Sequence, residues 1–103
     1  MNFMLSLPSE ILSCLGERLR TQRLAQAISQ SELAKKTGLS LGAIKKLERD
    51  GQSSLDTFVR VVSALRLAQE LESLFVMKVE SIAQMERAFK VTQRKRAPRR
   101  TSS

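Results

Sequence analysis

The sequence predicts an all-α protein, and three observations support this fold class. Apolar residues recur with a period near 3.6 from Ser9 to about Phe75, which is typical of amphipathic helices. Ser residues stand where helices would begin, and Gly residues stand where they would end. Trp and Tyr are absent and Pro occurs twice, so a loop-rich β architecture is disfavoured. The first helix is expected to begin at Pro8 or Ser9.

Local capping signals set the bounds of the next three helices. The predicted N-caps are Ser29 for the second helix, Ser40 for the third, and Ser53 or Ser54 for the fourth. Glu32 stands three residues after Ser29 and completes a capping box. Gly38 and Gly51 follow the second and third helices, where the absence of a Cβ atom permits a left-handed backbone.

The periodic pattern weakens after the fourth helix. A fifth helix is predicted from Ala68 to Phe75, VMKV at 76–79 is compatible with a short strand, and a short helix is expected from Ser81 to about Phe89. The following TQRKRAPRRTSS has no apolar periodicity and is expected to be disordered by itself. The predicted division is therefore a domain at 1–75, a short segment at 76–90 and a basic tail at 91–103.

The net charge of +8 is unevenly distributed along the 103 residues. Residues 1–89 carry 12 basic and 10 acidic residues, a balance of +2, whereas residues 90–103 carry six basic and no acidic residues, a balance of +6. This asymmetry favours a polyanionic partner, above all nucleic acid. The candidate phosphate-contacting residues of the tail are Arg94, Lys95 and Arg96. The alternative is a solvated tail without a binding role.

The composition argues against several functional classes. The sequence contains no His and a single cysteine, Cys14, so neither an internal disulfide nor a cysteine zinc site is expected. We assign no catalytic residue, metal ligand or cofactor, and the protein is not expected to be an enzyme. No stretch approaches the roughly 18 apolar residues of a membrane span, so a cytoplasmic, nucleoid-associated location without membrane contact is expected.

The segment from Gln30 to Arg49 carries the main functional prediction. It consists of two short predicted helices joined by a tight turn at Gly38. Ala34 is small where the two helices would approach, and Ile44 and Leu47 would fill the angle between them. This spacing is the helix-turn-helix pattern, motif 30–49, whose second helix enters the major groove of DNA. The alternative is a helical core without a role in DNA binding.

From about Leu15 to Phe75 the chain resembles the Xre/Cro-type helix-turn-helix family. The matching runs are LGERLRTQR, SQSELAKKTGLSLGAIKKLERDG and SSLDTFVRVVSAL. The resemblance implies a five-helix domain and a structural ion pair between Arg23 and Glu48, which would tie the first helix to the third. The chain departs from the family at Arg66, where a Gly commonly separates the fourth and fifth helices.

The resemblance also implies contacts with double-stranded operator DNA. The residues it assigns are Gln30, Ser40, Leu41, Gly42, Lys45 and Lys46. Leu41 and Gly42 depart from the family, because relatives often carry long polar side chains there. Leu41 can still meet thymine methyl groups, and either lysine can reach guanine. For the two lysines, a solvated charged face is the alternative.

So few base contacts predict weak binding by one domain, and a homodimer on paired half-sites is therefore expected. The candidate dimer interface consists of Leu71, Leu74 and Phe75. The competing interpretation is that these residues complete the core of the monomer.

The last third of the chain has a looser resemblance. ESIAQMERAFKVTQRKRAPRR is similar to the ending of HipB-type antitoxins, which implies an operon autorepressor that also binds a HipA-like kinase toxin. Ile82, Met85 and Phe89 at helical spacing would form an apolar strip for a partner or for the domain's own surface. The alternatives are a stand-alone phage-type repressor and a toxin-binding module with secondary DNA binding.

Overall fold

The computed structural model describes residues 1–95, with the backbone alone for residues 94 and 95. Every regular element in this range is helical, and the predicted all-α fold is confirmed. The five α-helices are α1 (Pro8–Ala25), α2 (Gln30–Thr37), α3 (Leu41–Asp50), α4 (Leu55–Ala64) and α5 (Val79–Lys95). Two 3-10 turns, Phe3–Leu5 and Ala68–Leu71, precede α1 and follow α4. None of the described helices is long and apolar enough to cross a membrane.

The predicted Ser caps begin α2, α3 and α4. The side chains of Ser29, Ser40 and Ser54 accept the backbone N–H groups of Glu32, Ala43 and Thr57 at 3.0, 3.1 and 3.0 Å. Glu32 returns a carboxylate oxygen to the N–H of Ser29 at 3.0 Å, which completes the capping box. These bonds satisfy donors that a helix start leaves without an intrahelical partner.

Two helices end in a left-handed conformation without glycine. Ala27 follows α1 with φ 57°, and Arg66 follows α4 with φ 62°. At the second site, Arg66 N–H donates to Ser63 O at 3.0 Å and Leu67 N–H donates to Val62 O at 2.9 Å, as in a Schellman motif. Arg66 thus adopts the backbone conformation that a glycine adopts at lower steric cost.

The chain divides into two compact units after Glu72, and the core of the first unit lies among α1–α4. Its fully buried large side chains are Leu33, Ile44, Leu47, Val61 and Leu65. α1 crosses α3 closely at Gly16, where a Cβ atom would collide with the backbone carbonyl of Leu47. Gly51 has φ 74° and lies equally close to the backbone of Leu12. The position of α3 is therefore fixed by backbone contacts as well as by side-chain packing.

The structure differs from the prediction after α4. The predicted helix from Ala68 to Phe75 is a 3-10 turn at Ala68–Leu71 followed by irregular turns. This short turn already brings Leu67 and Leu71 onto the core, whereas Leu74 and Phe75 are exposed. Phe75 has a left-handed backbone with φ 58°, which does not fit a helix that includes this residue.

The second unit, described here to Lys95, also departs from the sequence prediction. Residues 76–78 form no strand, since the described chain offers no neighbouring strand for pairing, and Val79 opens α5. α5 spans Val79–Lys95 and is longer than the predicted helix from Ser81 to Phe89. Lys, Arg and Gln are good helix formers and extend it without apolar periodicity. Residues 91–95 of the predicted disordered tail are thus helical, and residues 96–103, including Arg96, lie outside the described residues.

Candidate nucleic-acid interface

Backbone and side-chain hydrogen bonds close the turn between α2 and α3. Gly38 takes φ 72°, and the N–H groups of Gly38 and Leu39 both donate to the carbonyl of Ala34. The Thr37 hydroxyl donates to Leu33 O at 2.8 Å and accepts the N–H of Leu39 at 3.3 Å. Thr37 was not singled out from the sequence, although a Thr in the last helical turn often bonds back to an earlier carbonyl.

α3 divides its residues between two faces. Ile44 and Leu47 are buried on the inner face. The outer face carries Leu41, Gly42, Lys45 and Lys46, all of which are exposed. Their spacing places them on one side of the helix, as the resemblance implied for DNA contacts. Of the predicted contact residues, Ser40 is exposed as well, although its hydroxyl is occupied as the cap of this helix.

A buried ion pair joins α1 to α3. Arg23 and Glu48 are each 5% exposed, and Arg23 Nε lies 2.6 Å from Glu48 Oε2. A second guanidinium nitrogen donates to Glu48 Oε1 at 2.9 Å, so the contact is bidentate. The third nitrogen donates to the carbonyl of Ile28 at 2.8 Å. Each guanidinium nitrogen of Arg23 and each carboxylate oxygen of Glu48 therefore has a hydrogen-bond partner, which offsets part of the cost of burying the two charges.

Gln30 takes part in the same network. Its amide Nε2 donates to Glu48 Oε1 at 3.0 Å, which links the beginning of α2 to the end of α3. A carboxylate only accepts hydrogen bonds, so this contact fixes which end of the amide faces inward. The amide oxygen of Gln30 keeps its acceptor capacity. The predicted contact of Gln30 with DNA stays a prediction, made by a side chain that already has a structural partner.

Four lysines give the α2–α3 region a local positive charge. Lys35, Lys36, Lys45 and Lys46 are exposed, and within the described chain none has a carboxylate within the 4 Å of an ion pair. By contrast, Arg49 pairs with Asp50 at 3.2 Å and Arg60 pairs with Asp56 at 2.9 Å. Four lysines without an ion pair in the described chain therefore lie on these two helices, although residues 1–89 balance to only +2.

Comparison with known proteins agrees with this geometry. Residues 19–68 match the model of the helix-turn-helix family. The match covers slightly less than half of the chain and supports an Xre/Cro-type helix-turn-helix domain over these residues. The match therefore supports binding of double-stranded DNA by a transcriptional regulator. No curated protein matches the chain.

The helix-turn-helix match stops before the second unit. The predicted dimer residues fall into two groups, because Leu71 is half-buried against the core of the first unit, whereas Leu74 and Phe75 are exposed. In α5, Ile82, Met85 and Phe89 are exposed at spacings of three and four residues and share one face. Arg94 and Lys95 lie in the last turn of this helix. The described residues contain no cluster of His, Cys, Asp or Glu suited to a metal ion.

Proposed function

We propose that the protein is a sequence-specific transcriptional repressor that binds a two-fold operator in the cytoplasm as a homodimer. The observation that carries this proposal is the outward face of α3, whose position is fixed by the buried contacts of Glu48 with Arg23 and Gln30. A helix held in this way presents Lys45 and Lys46 to the major groove in a constant geometry. Occupation of a promoter by the dimer would block transcription.

Phosphate contacts supply most of the affinity in this proposal. The four exposed lysines of α2 and α3 release counterions when they meet phosphates, and each such contact adds about one unit to the log–log salt slope. Fewer side chains can donate hydrogen bonds to bases than to phosphates, because Leu41 and Gly42 offer no polar side chain. Two half-sites read by two protomers compensate for this limited recognition.

Selection from random duplexes, followed by gel-shift measurement on the enriched site and on the DNA upstream of the gene, tests the proposal. We expect one enriched two-fold site, present upstream of the gene and bound far more tightly than random duplex. Lys46→Ala should relax specificity at one base position, while the control Lys36→Ala on α2 should weaken binding to all sequences alike. Equal affinity for random and upstream DNA would refute the repressor function.

The dimer contact in this proposal involves Leu74 and Phe75, since Leu71 already packs against the core of its own protomer. Phe75 is 95% exposed, an unusual state for a large aromatic residue in a monomer. Sedimentation of Phe75→Ser should show a dimer dissociation constant raised at least ten-fold. Leu55→Ser, at another exposed apolar residue on α4, should behave as the native chain. A chain that stays monomeric at high concentration and on DNA would contradict the dimer.

A second candidate function is that of an antitoxin that holds a HipA-like kinase toxin. The observation that favours it is the exposed apolar strip of Ile82, Met85 and Phe89 on α5, in a unit of its own outside the helix-turn-helix match. Burying such a strip in a partner groove follows the usual mode of helix recognition. A stand-alone phage-type repressor would need no such partner.

Co-purification of the untagged chain from its native operon distinguishes these functions. If it is an antitoxin, a kinase-like protein should accompany the full chain and be lost from Met85→Asp. The matched control Gln84→Asp, which lies off the strip, should retain the partner. The absence of any companion would favour the stand-alone repressor, whereas retention of the kinase-like protein by Met85→Asp would contradict the strip as its binding surface. In either case we propose no enzymatic activity, and turnover by the purified chain would overturn that part.

A further inference from the structure

Gly42 is the glycine for which the fold gives no reason. The sequence has four glycines, and Gly16, Gly38 and Gly51 each serve a close backbone approach or a positive φ. Gly42 has neither, because its φ is ordinary and an added Cβ would meet only Ser40 Oγ, at 3.9 Å. It is also exposed. An alanine would therefore fit in the free protein without any rearrangement.

Glycine at this position also weakens the helix. Within α3 it loses more backbone entropy on folding than alanine would, and it covers no neighbouring surface. For a domain of this size, replacing Gly42 by Ala should raise the melting temperature by about 2–4 °C. Because Gly42 lowers the stability of the free protein and borders open space, we expect its role to lie in contact with a bound molecule.

The surroundings of Gly42 indicate the chemistry of what approaches. Leu41 precedes it and is an apolar residue that is 38% exposed. Lys45 and Lys46 follow three and four residues later and are exposed on the same face of α3. The missing side chain therefore leaves open space on the outer face of α3, which also carries the exposed Leu41 and the two exposed lysines. Gly42 itself has no side chain and can form no side-chain hydrogen bond with a base.

We propose that Gly42 and Leu41 form a notch that receives the 5-methyl group of a thymine in the major groove. This methyl group is the apolar feature on the major-groove edges of the bases, and it protrudes from the edge that α3 would face. The proposal rests on the proposed function of sequence-specific DNA binding and makes Gly42 a residue that determines specificity by shape. A Cβ atom in the notch would compete with the methyl group for the same space.

Replacing thymine by deoxyuridine in the selected operator tests whether the notch at Gly42 receives the methyl group. Each thymine is exchanged singly, at both symmetric half-sites, and affinities are measured with the full chain and with Gly42→Ala. The native chain should lose about four-fold in affinity per half-site at one position, the value expected for one buried methyl group. Gly42→Ala should bind the thymine operator about ten-fold more weakly through overpacking.

The deciding result is a reversal of sign in the variant. At the position where deoxyuridine weakens the native chain, it should strengthen Gly42→Ala, because removing the methyl group makes room for the Cβ atom. A rise of about 2–4 °C in the melting temperature shows that the variant is folded. Ser63→Ala, at an exposed position of α4, serves as the matched control and should keep the native deoxyuridine profile.

Several results would overturn the inference. The native chain could be insensitive to deoxyuridine at every position, or Gly42→Ala could bind the operator with native affinity. A loss by Gly42→Ala that is equal on all sequences would mean that the sugar–phosphate backbone, rather than a methyl group, approaches Gly42. If selection enriches no sequence at all, the proposed function itself fails, and that outcome is distinct from specific binding without methyl sensitivity.

Discussion

Replacing Glu48 by Ala would leave the guanidinium group of Arg23 buried without a carboxylate. The side chains of Arg23 and Glu48 are 7% and 3% exposed, so water cannot take over the lost contacts without local opening. Two guanidinium nitrogens and the amide of Gln30 would lose their acceptor together. Only the bond from Arg23 to the carbonyl of Ile28 would remain.

Burial determines the magnitude of this effect. Removing one partner of a buried ion pair costs about 3–5 kcal/mol, because the remaining charge is desolvated without compensation. A domain of this size has a total free energy of unfolding of about 5–10 kcal/mol. Glu48→Ala should therefore remove about half of the stability. An exposed pair would contribute about 0–1 kcal/mol, so the two cases are well separated.

Urea denaturation followed by far-ultraviolet circular dichroism measures the loss. Asp56→Ala is the matched control, since its ion pair with Arg60 at 2.9 Å joins side chains that are 72% and 51% exposed. This control should lose at most about 1 kcal/mol, including its favourable place in the first turn of α4. A double variant, Arg23→Met with Glu48→Met, should be about 2 kcal/mol more stable than Glu48→Ala, because no buried charge remains.

Two results would refute this reasoning. A loss below about 1 kcal/mol for Glu48→Ala would show that the pair behaves as an exposed one. A double variant no more stable than Glu48→Ala would show that the cost comes from lost packing rather than from the unpaired guanidinium. The double variant should still bind its operator more weakly than the native chain, since Gln30 loses the carboxylate that orients it.

Three further predictions concern stability, each measured by thermal or urea unfolding. Gly16→Ala should lose about 1–3 kcal/mol or fail to fold, because its Cβ atom would collide with the carbonyl of Leu47; an unchanged midpoint would refute the close helix crossing. Arg66→Gly should gain about 0.5–1 kcal/mol by relieving the left-handed backbone, and a loss would mean that the arginine side chain outweighs this strain. Hydrogen bonds from the backbone and side chain of Ser29 lower the pKa of Glu32 in the folded protein. The ionised Glu32 therefore stabilises the fold above its unfolded-state pKa, and this contribution is lost as the pH falls through its folded-state pKa. Glu32→Gln should accordingly flatten the loss of stability in acid, and an unchanged pH profile would contradict this.

Local signals made the helix-turn-helix region predictable from the sequence. The capping box of Ser29 and Glu32 and the left-handed Gly38 each act within a few residues, so their outcome does not depend on the rest of the fold. The outward placement of Lys45 and Lys46 likewise follows from helical periodicity alone. For these elements, interactions between residues close in the sequence determine the structure.

Other features depend on contacts between distant residues. The approach of Gly16 to the backbone of Leu47 has no local signature, because a glycine within a helix gives no indication of what crosses it. The bond from Gln30 to Glu48 joins residues that are 18 positions apart and has no local signature, although a carboxylate can accept from both Gln30 and Arg23. The extent of α5 beyond Phe89 was missed because polar helix formers leave no apolar period.

The limited polar surface of α3 and its rigid attachment are physically connected. Lysine side chains are long and flexible, so they attract DNA without fixing its position closely. Discrimination by shape, as proposed for the notch at Gly42, instead needs a helix that cannot retreat from the groove. Gly16 and Gly51 place the backbone of α3 directly against α1, and Glu48 is bound from both α1 and α2. A shift of about 1 Å would already accommodate much of an added Cβ atom, since overlap energies fall steeply over that distance. The packing that holds α3 in place would therefore allow Gly42, which has no side chain, to discriminate between thymine and other bases by shape.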